Sequence, residues 1–244
     1  MDNLFGDLRF GARRRIRATA CQAAAEYAGR WGWTVALGGS QARSGATARW
    51  QGDGQPPIGD RCDCGRPHCA APGLHPPHGA DARELPPGAT SHEARTLWDG
   101  TAEASVLLPT GRSFDVLDVP EPAGLRALVR LERMGTQVGP VLASPAGRLL
   151  FFVARGTAEK LPDLLYRMGW DDAALDLSCH GEGGYLAAPP TVLPGLGPMR
   201  WLRHPCRESA ARPPEARLLL GTLAYACHRG RERVVAAEPA WLAS

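Results

Sequence analysis

An α+β fold built on an antiparallel sheet is predicted by three features of this 244-residue chain. The first is a strand at residues 113–122 (SFDVLDVPEP), where two carboxylates interrupt an apolar run that stops at proline. The second is the succession strand, helix, strand, strand, helix, strand that begins there. The third is a Cys- and His-rich loop ahead of it, preceded by a small helix and strand. Together they predict a βαββαβ sheet with two helices on one face and the other face free, an N-terminal α/β module and a compact knuckle.

Phe114, Val116, Leu117 and Val119 suit a pleated, half-buried surface, and Pro120 and Pro122 end the strand because proline lacks the donor N–H. Side chains alternate along a strand, so Asp118 shares a face with Val116 and position 120, while Asp115 points the other way with Leu117. At most one aspartate faces the core side. An isolated buried carboxylate is costly, so each needs a partner. Two readings stand: a strand-end aspartate that leans into solvent or caps the next helix, and a carboxylate that binds metal.

A hydrophobic content of 44% is ordinary for a globular protein with a real core and excludes a wholly disordered chain. The net charge of +3 permits a nucleic-acid partner without demanding one. Lys160 is the only lysine among 28 basic residues, a bias that reflects a GC-rich genome and weakens any case made from arginine content. No apolar run reaches transmembrane length, and Gln22 and Glu26 interrupt the apolar part that follows Arg13–Arg17, so a cytoplasmic protein with no membrane contact is expected.

Residues 1–11 read as a loose N-terminus, followed by the patch Arg13, Arg14, Arg15 and Arg17, which either grips phosphate or is a solvated helix start. Ile16, Ala20, Ala23, Ala24 and Tyr27 recur at helical spacing, predicting a helix over 16–27 that Gly29–Gly32 ends; residues 33–37 (WTVAL) read as a strand. Residues 38–60 have no periodicity and read as a linker. Seven cysteines in a reducing compartment argue for metal ligation where they cluster, as in CDCGRPHCAAPGLHPPH. There Cys62, Cys64, Cys69 and His75 form a candidate structural zinc set, with His68 and His78 as alternatives and Gly65, Pro67, Pro72 and Gly73 supplying turns. Free thiols in a loop are the competing reading.

A short helix is expected at 93–98 and a strand at 101–109 (TAEASVLLP). After the acidic strand, residues 121–134 place Leu125, Leu128, Val129 and Leu131 along an amphipathic helix ended by Gly135. Residues 138–143 (VGPVLA) and 149–154 (LLFFVA) are strands joined by the hairpin SPAGR, and 161–168 form a second helix. Strands are expected at 174–177 (ALDL) and 185–188 (YLAA), an edge strand at 199–202 and a helix at 213–225, leaving a tail with Trp241. Three segments follow: 1–100 with the knuckle at about 60–78, 101–206, and 207–244. The βαββαβ order places the first and third strands side by side, so Asp118 and Asp176 approach each other near the hairpin. Two carboxylates so placed are what a divalent metal for phosphoryl transfer needs.

The helix ahead of Gly32 and Trp33, the CxC knuckle followed by PGxHP, FDVLDV, SPAGR before LLFF, and LDL followed by GGYLAAPP occur in one order. In that order they resemble the bifunctional DNA primase/polymerase N-terminal domains of the archaeo-eukaryotic primase superfamily. Residues 109–121 and 212–225 resemble its actinobacterial branch. The resemblance implies an RRM-like palm acting on DNA and nucleotides with Mg²⁺ or Mn²⁺, beside a zinc knuckle. It makes Asp118 and Asp176 catalytic carboxylates, and Ser144 and Arg148 phosphate contacts. Pro120 stands where the active pattern has its second acid, with Glu121 the nearest substitute if Pro120 bends the chain, and Leu149 stands where it has a nucleotide-phosphate histidine. His180 or Glu182 would restore a ligand from the following loop, or would simply be turn residues. The expected function is therefore DNA primase/polymerase-like with a degenerate metal site. The alternatives are a non-catalytic nucleic-acid or nucleotide binding module, and a structural partner using Trp241 and the last helix. No GxxxxGK phosphate loop is present.

Overall fold

A computed structural model describes residues 19–39, 41–42, 61–62, 74–76, 83–99, 101, 104–170, 174–193 and 195–237. The expectations for residues 1–11, the arginine patch, most of residues 38–60 and the tail with Trp241 concern positions that lie outside the described residues. In chain order the main elements are β1 (Val35–Leu37), β2 (Glu84–Leu85), α1 (Ser91–Leu97), β3 (Val106–Pro109), β4 (Asp115–Pro120), α2 (Glu121–Arg133), β5 (Val141–Ser144) and β6 (Arg148–Val153). Then follow α3 (Thr157–Arg167), β7 (Ser178–His180), β8 (Tyr185–Ala187), β9 (Arg200–Arg203), α4 (Arg207–Ala211) and α5 (Arg217–Ala237). They fall into two compact units divided between Pro109 and Thr110, with Tyr185–Val192 belonging to the first.

In the first unit the helical segment from Thr19 ends in a π-helical turn, Glu26–Arg30, and a four-stranded sheet has the order β8-β3-β1-β2, antiparallel throughout. Helix α1 starts two residues earlier than expected because Thr90 and Glu93 form a reciprocal cap: Glu93 N–H donates to Thr90 Oγ1 at 3.3 Å, and Thr90 N–H donates to Glu93 Oε2 at 2.7 Å.

In the second unit a five-stranded sheet has the order β9-β5-β6-β4-β7, with every neighbouring pair antiparallel. The first and third strands of the expected motif, β4 and β6, are adjacent as the sequence implies. The fourth is displaced: residues 174–177 are not a strand, β7 begins at Ser178, and 185–187 joins the other sheet beside β3. The shift of the strand start from 174 to 178 matters, because His180 thereby becomes a strand residue rather than part of a loop.

The odd-numbered side chains of β4 and β6 (Leu117, Val119, Leu149, Phe151, Val153) meet Ala123, Ala127, Leu128 and Leu131 of α2 and Leu219, Leu220 and Leu223 of α5, with Leu161, Leu164 and Leu165 of α3 packed at the margin. Three helices, not two, therefore cover this face. The buried stripe of α2 runs through its small residues; Leu125 and Val129, read as core from their spacing, are exposed at 39% and 48%. The reason is close approach, since α2 lies on the sheet through Gly124, where an added Cβ would stand 2.9 Å from Leu149 Cβ and 3.1 Å from Val119 Cγ2. The opposite face is not free as expected: Phe114, Val116, Leu142, Leu150 and Phe152 on it are buried, and Phe152 contacts Phe114 and Trp201 at ring-centroid distances of 4.4 and 5.5 Å.

Gly124→Ala tests the α2 contact. Alanine favours a helix over glycine by about 1 kcal/mol, but the displaced sheet should more than cancel this, giving a net loss of about 1–3 kcal/mol in chemical denaturation. A stabilised variant would show that the helix and sheet are further apart than described.

Candidate nucleotidyl-transfer centre

The two aspartates of β4 go to opposite faces, as alternation requires. Asp115, 1% exposed, lies on the helix side, where its Oδ2 accepts a hydrogen bond from the Ala158 N–H at 2.8 Å. It is thus the cap of α3, whose own N-cap residue, Gly156, has no side chain to serve. The helix capped is not the next one, as expected for a strand-end aspartate, but α3, because Asp115 is the buried first residue of β4 and lies under the N-terminus of that later helix. Its Oδ1 is buried without a partner among the described residues.

Asp118 lies on the other face, and cross-strand register sets its neighbours. It sits opposite Leu150 of β6 and Ser178 of β7, so Arg148 and His180, two residues away on those strands, are its diagonal neighbours on the same face. Both reach it. Arg148 Nε donates to Asp118 Oδ1 at 2.7 Å and His180 Nε2 lies 2.9 Å from Oδ2. Because an ionised carboxylate only accepts, His180 carries its proton on Nε2 in this pairing. Arg148 Nη1 also donates to Asp176 Oδ1 at 2.7 Å, and Nη2 approaches the Asp118 carbonyl at 3.4 Å. The arginine bridges the two carboxylates.

Burial acts to raise the Asp118 pKa, yet the hydrogen bonds from His180 and Arg148 and the arginine charge outweigh it and hold the carboxyl below its ordinary value. Burial acts in the opposite sense on Arg148, and the two aspartates overcome it to hold the guanidinium above its usual range. The Asp118 side chain is 16% exposed and that of Asp176 is 67% exposed, so the first contact is the stronger anchor.

The remaining candidates are divided. Ser144 pairs with Arg148 across the hairpin, but its Oγ accepts the Ala146 N–H at 3.3 Å and so shapes the turn. Glu121 is the first residue of α2, its N–H bonded to the Gly147 carbonyl at 2.8 Å, and its carboxylate makes no contact with this cluster. Pro120, opposite Arg148 in the register, is on the face of Asp118. Leu149 is not: it pairs with Val119 and is fully buried on the helix side, so the side chain at this position is directed away from the carboxylates. Sequence reasoning missed the tie between Arg148 and both aspartates; the signal was the strand parity already used for Asp115 and Asp118, extended across the β4–β6 pair.

This arrangement does not fit a divalent metal. Both Asp118 oxygens and one Asp176 oxygen are already bound to nitrogen donors, and the residue beside Arg148 on the same face, Pro120, offers no side-chain oxygen. Mg²⁺ would need such oxygens within about 2.1 Å in octahedral geometry.

Of the proposed zinc ligands, Cys64 and Cys69, with the alternatives His68 and His78, lie outside the described residues, and only the backbone of Cys62 is described. His75 is described, with Nδ1 at 2.8 Å from the Pro76 carbonyl. Cys21, Cys179, Cys206 and Cys227 are not in disulfides, and burial pushes the Cys179 thiol up to about 12 and that of Cys227 up to about 11.

The family model for the N-terminal domain of bifunctional DNA primase/polymerase matches residues 24–216, a span that contains the whole of this cluster. The chain belongs to that Prim-Pol family. No curated protein and no solved structure matches it.

Asp118→Asn tests the cluster. A carboxyl whose folded pKa is depressed stabilises the fold at pH values above its unfolded pKa of about 3.9, and that contribution is lost as pH falls through the folded value. At pH 7 the variant should be about 1–2 kcal/mol less stable in urea denaturation, with the gap to the native chain closing as the medium is made more acidic than about pH 4. A gap that is constant across this range would show that the charge of Asp118 is not what the cluster uses.

Proposed function

We propose that this chain is a DNA primase/polymerase-like protein whose nucleotidyl-transfer centre is degenerate, and that it serves as a nucleic-acid or nucleotide binding module on an RRM-like palm. The observation that carries this reading is the bridging of Asp118 and Asp176 by Arg148. In-line phosphoryl transfer depends on positioning and on charge stabilisation by metal ions held on carboxylates. Carboxylates committed to an arginine, with proline at the second acid position, supply neither. Family membership supports DNA and nucleotides as the partners, and the strand order second-third-first-fourth of the βαββαβ motif supports the palm. No helix among the described residues is long and apolar enough to cross a membrane.

Template-directed incorporation with Mg²⁺ and with Mn²⁺ is the direct test, run beside Asp118→Ala and Asp176→Ala. The native chain should show no incorporation above the two variants while binding single-stranded DNA with an affinity that falls steeply with salt. Incorporation by the native chain that both substitutions abolish would overturn the reading in favour of an enzyme.

The knuckle is proposed to hold one structural Zn²⁺ through Cys62, Cys64, Cys69 and His75. The His75 contact supports it: a proton on Nδ1 directed at the Pro76 carbonyl leaves the ring lone pair on Nε2, the tautomer of a zinc-bound histidine with a backbone partner. The purified chain should carry about one zinc per molecule. Cys64→Ser should lose it and lower the unfolding midpoint, and full zinc occupancy in Cys64→Ser would remove that cysteine from the set.

A further inference from the structure

We infer that Arg148 is a resident cation that takes the place of a divalent metal between Asp118 and Asp176, so that this centre is complete and metal-independent as the chain folds. The inference deepens the reading of a degenerate centre and rests on it, but it concerns the site's own chemistry rather than its partners. Three nitrogens of one guanidinium are directed at the cluster: Nε and Nη1 at 2.7 Å from the carboxylates of Asp118 and Asp176, and Nη2 at 3.4 Å from the Asp118 carbonyl. A planar fork with five donors can span two carboxylates in this way, whereas a lysine ammonium is a single point of charge. The fourth oxygen-to-nitrogen contact, from His180 Nε2 at 2.9 Å, closes the other side of Asp118.

The position of Arg148 is built rather than incidental. It is the first residue of β6, paired with Ser144 and with Pro120, and it follows a turn in which Gly147 has φ +74° and the Gly147 carbonyl accepts the Glu121 N–H. The backbone therefore holds the guanidinium at the end of the sheet from which Asp118 projects. A carboxylate at position 120 would stand beside Arg148 and compete for it. With proline there, the cross-strand neighbour of Arg148 offers it no carboxylate, and the guanidinium is shared between Asp118 and Asp176.

The test uses the full chain with its zinc in place and Mn²⁺ alone as the probe, in the absence of nucleic acid and nucleotide. Electron paramagnetic resonance counts bound Mn²⁺ in the native chain, in Arg148→Gln and in Asp118→Asn/Arg148→Gln. Arg148→Gln frees the oxygens without adding charge and should bind Mn²⁺ at least about tenfold more tightly than the native chain, and the double variant should lose that gain. Equal Mn²⁺ affinity in the native chain and a folded Arg148→Gln would overturn the inference. A second measurement stands even if the variant does not fold: titration of the native chain with Mn²⁺ should leave the His180 ring proton resonances sharp, and their selective broadening would also overturn it. Native incorporation of nucleotides, by contrast, would sink the proposed function, while Mn²⁺ binding alone decides the role of Arg148.

Discussion

The structure of the second unit depends on the alternation of side chains along β4 and on its being paired on both edges. Asp118 lies three positions after Asp115, an odd step, so the two carboxylates leave the strand on opposite faces. One goes under the helices, and the other emerges at the end of the second face. Neither could exchange roles with the other without a slip in register, and a slip would also send Leu117 and Val119 out of the core they share with α2 and α5. The capping of α3 by Asp115 and the cluster around Asp118 are therefore two consequences of one constraint, with α3 tied to the strand that presents the candidate site.

Within the cluster the balance of forces favours Asp118 as the anchor. Its carboxylate is largely buried and would be costly to leave unpaired, and the depression of its pKa means that its two partners more than offset the cost of burial. Asp176 is exposed enough that water competes for its charge, so the Arg148–Asp176 contact adds direction more than stability. The guanidinium is oriented first by Asp118 and only then shared. A metal ion arriving at this place would have to separate a charge-assisted pair at 2.7 Å, and among the described residues the cluster offers it the two carboxylates of Asp118 and Asp176.

How much of this was legible in the sequence depended on whether local pattern or pairing determined each feature. The βαββ core, the hairpin at SPAGR and the adjacency of the first and third strands follow from apolar periodicity and turn chemistry, and they stand in the structure. The position of β7 did not follow, because ALDL has the composition of a strand while Ser178–His180 becomes one only by pairing with β4. The same limitation hid the α2 stripe. Leu125 and Val129 satisfy helical spacing, but Gly124 brings the helix so close to the sheet that the small residues face inward. Asp118, Arg148, Asp176 and His180 were each identifiable as candidates; their mutual contacts required the register of three strands, which no single segment contains.

Register also separates two departures from the active pattern that look equivalent in the linear sequence. Leu149 belongs to the hydrophobic core: it packs against Gly124 and Val119, and a polar ring at that position would enter the helix-covered side. Leucine there costs the site nothing that the fold would otherwise supply on that face. Pro120 is different, because its side chain shares the face of Asp118 and is paired with Arg148 itself. A carboxylate at that position would stand beside Arg148 and compete with Asp118 for it, which proline does not do. Proline at position 120 and the pairing of Arg148 with Asp118 are thus linked through one cross-strand pair, and Leu149 is not part of it.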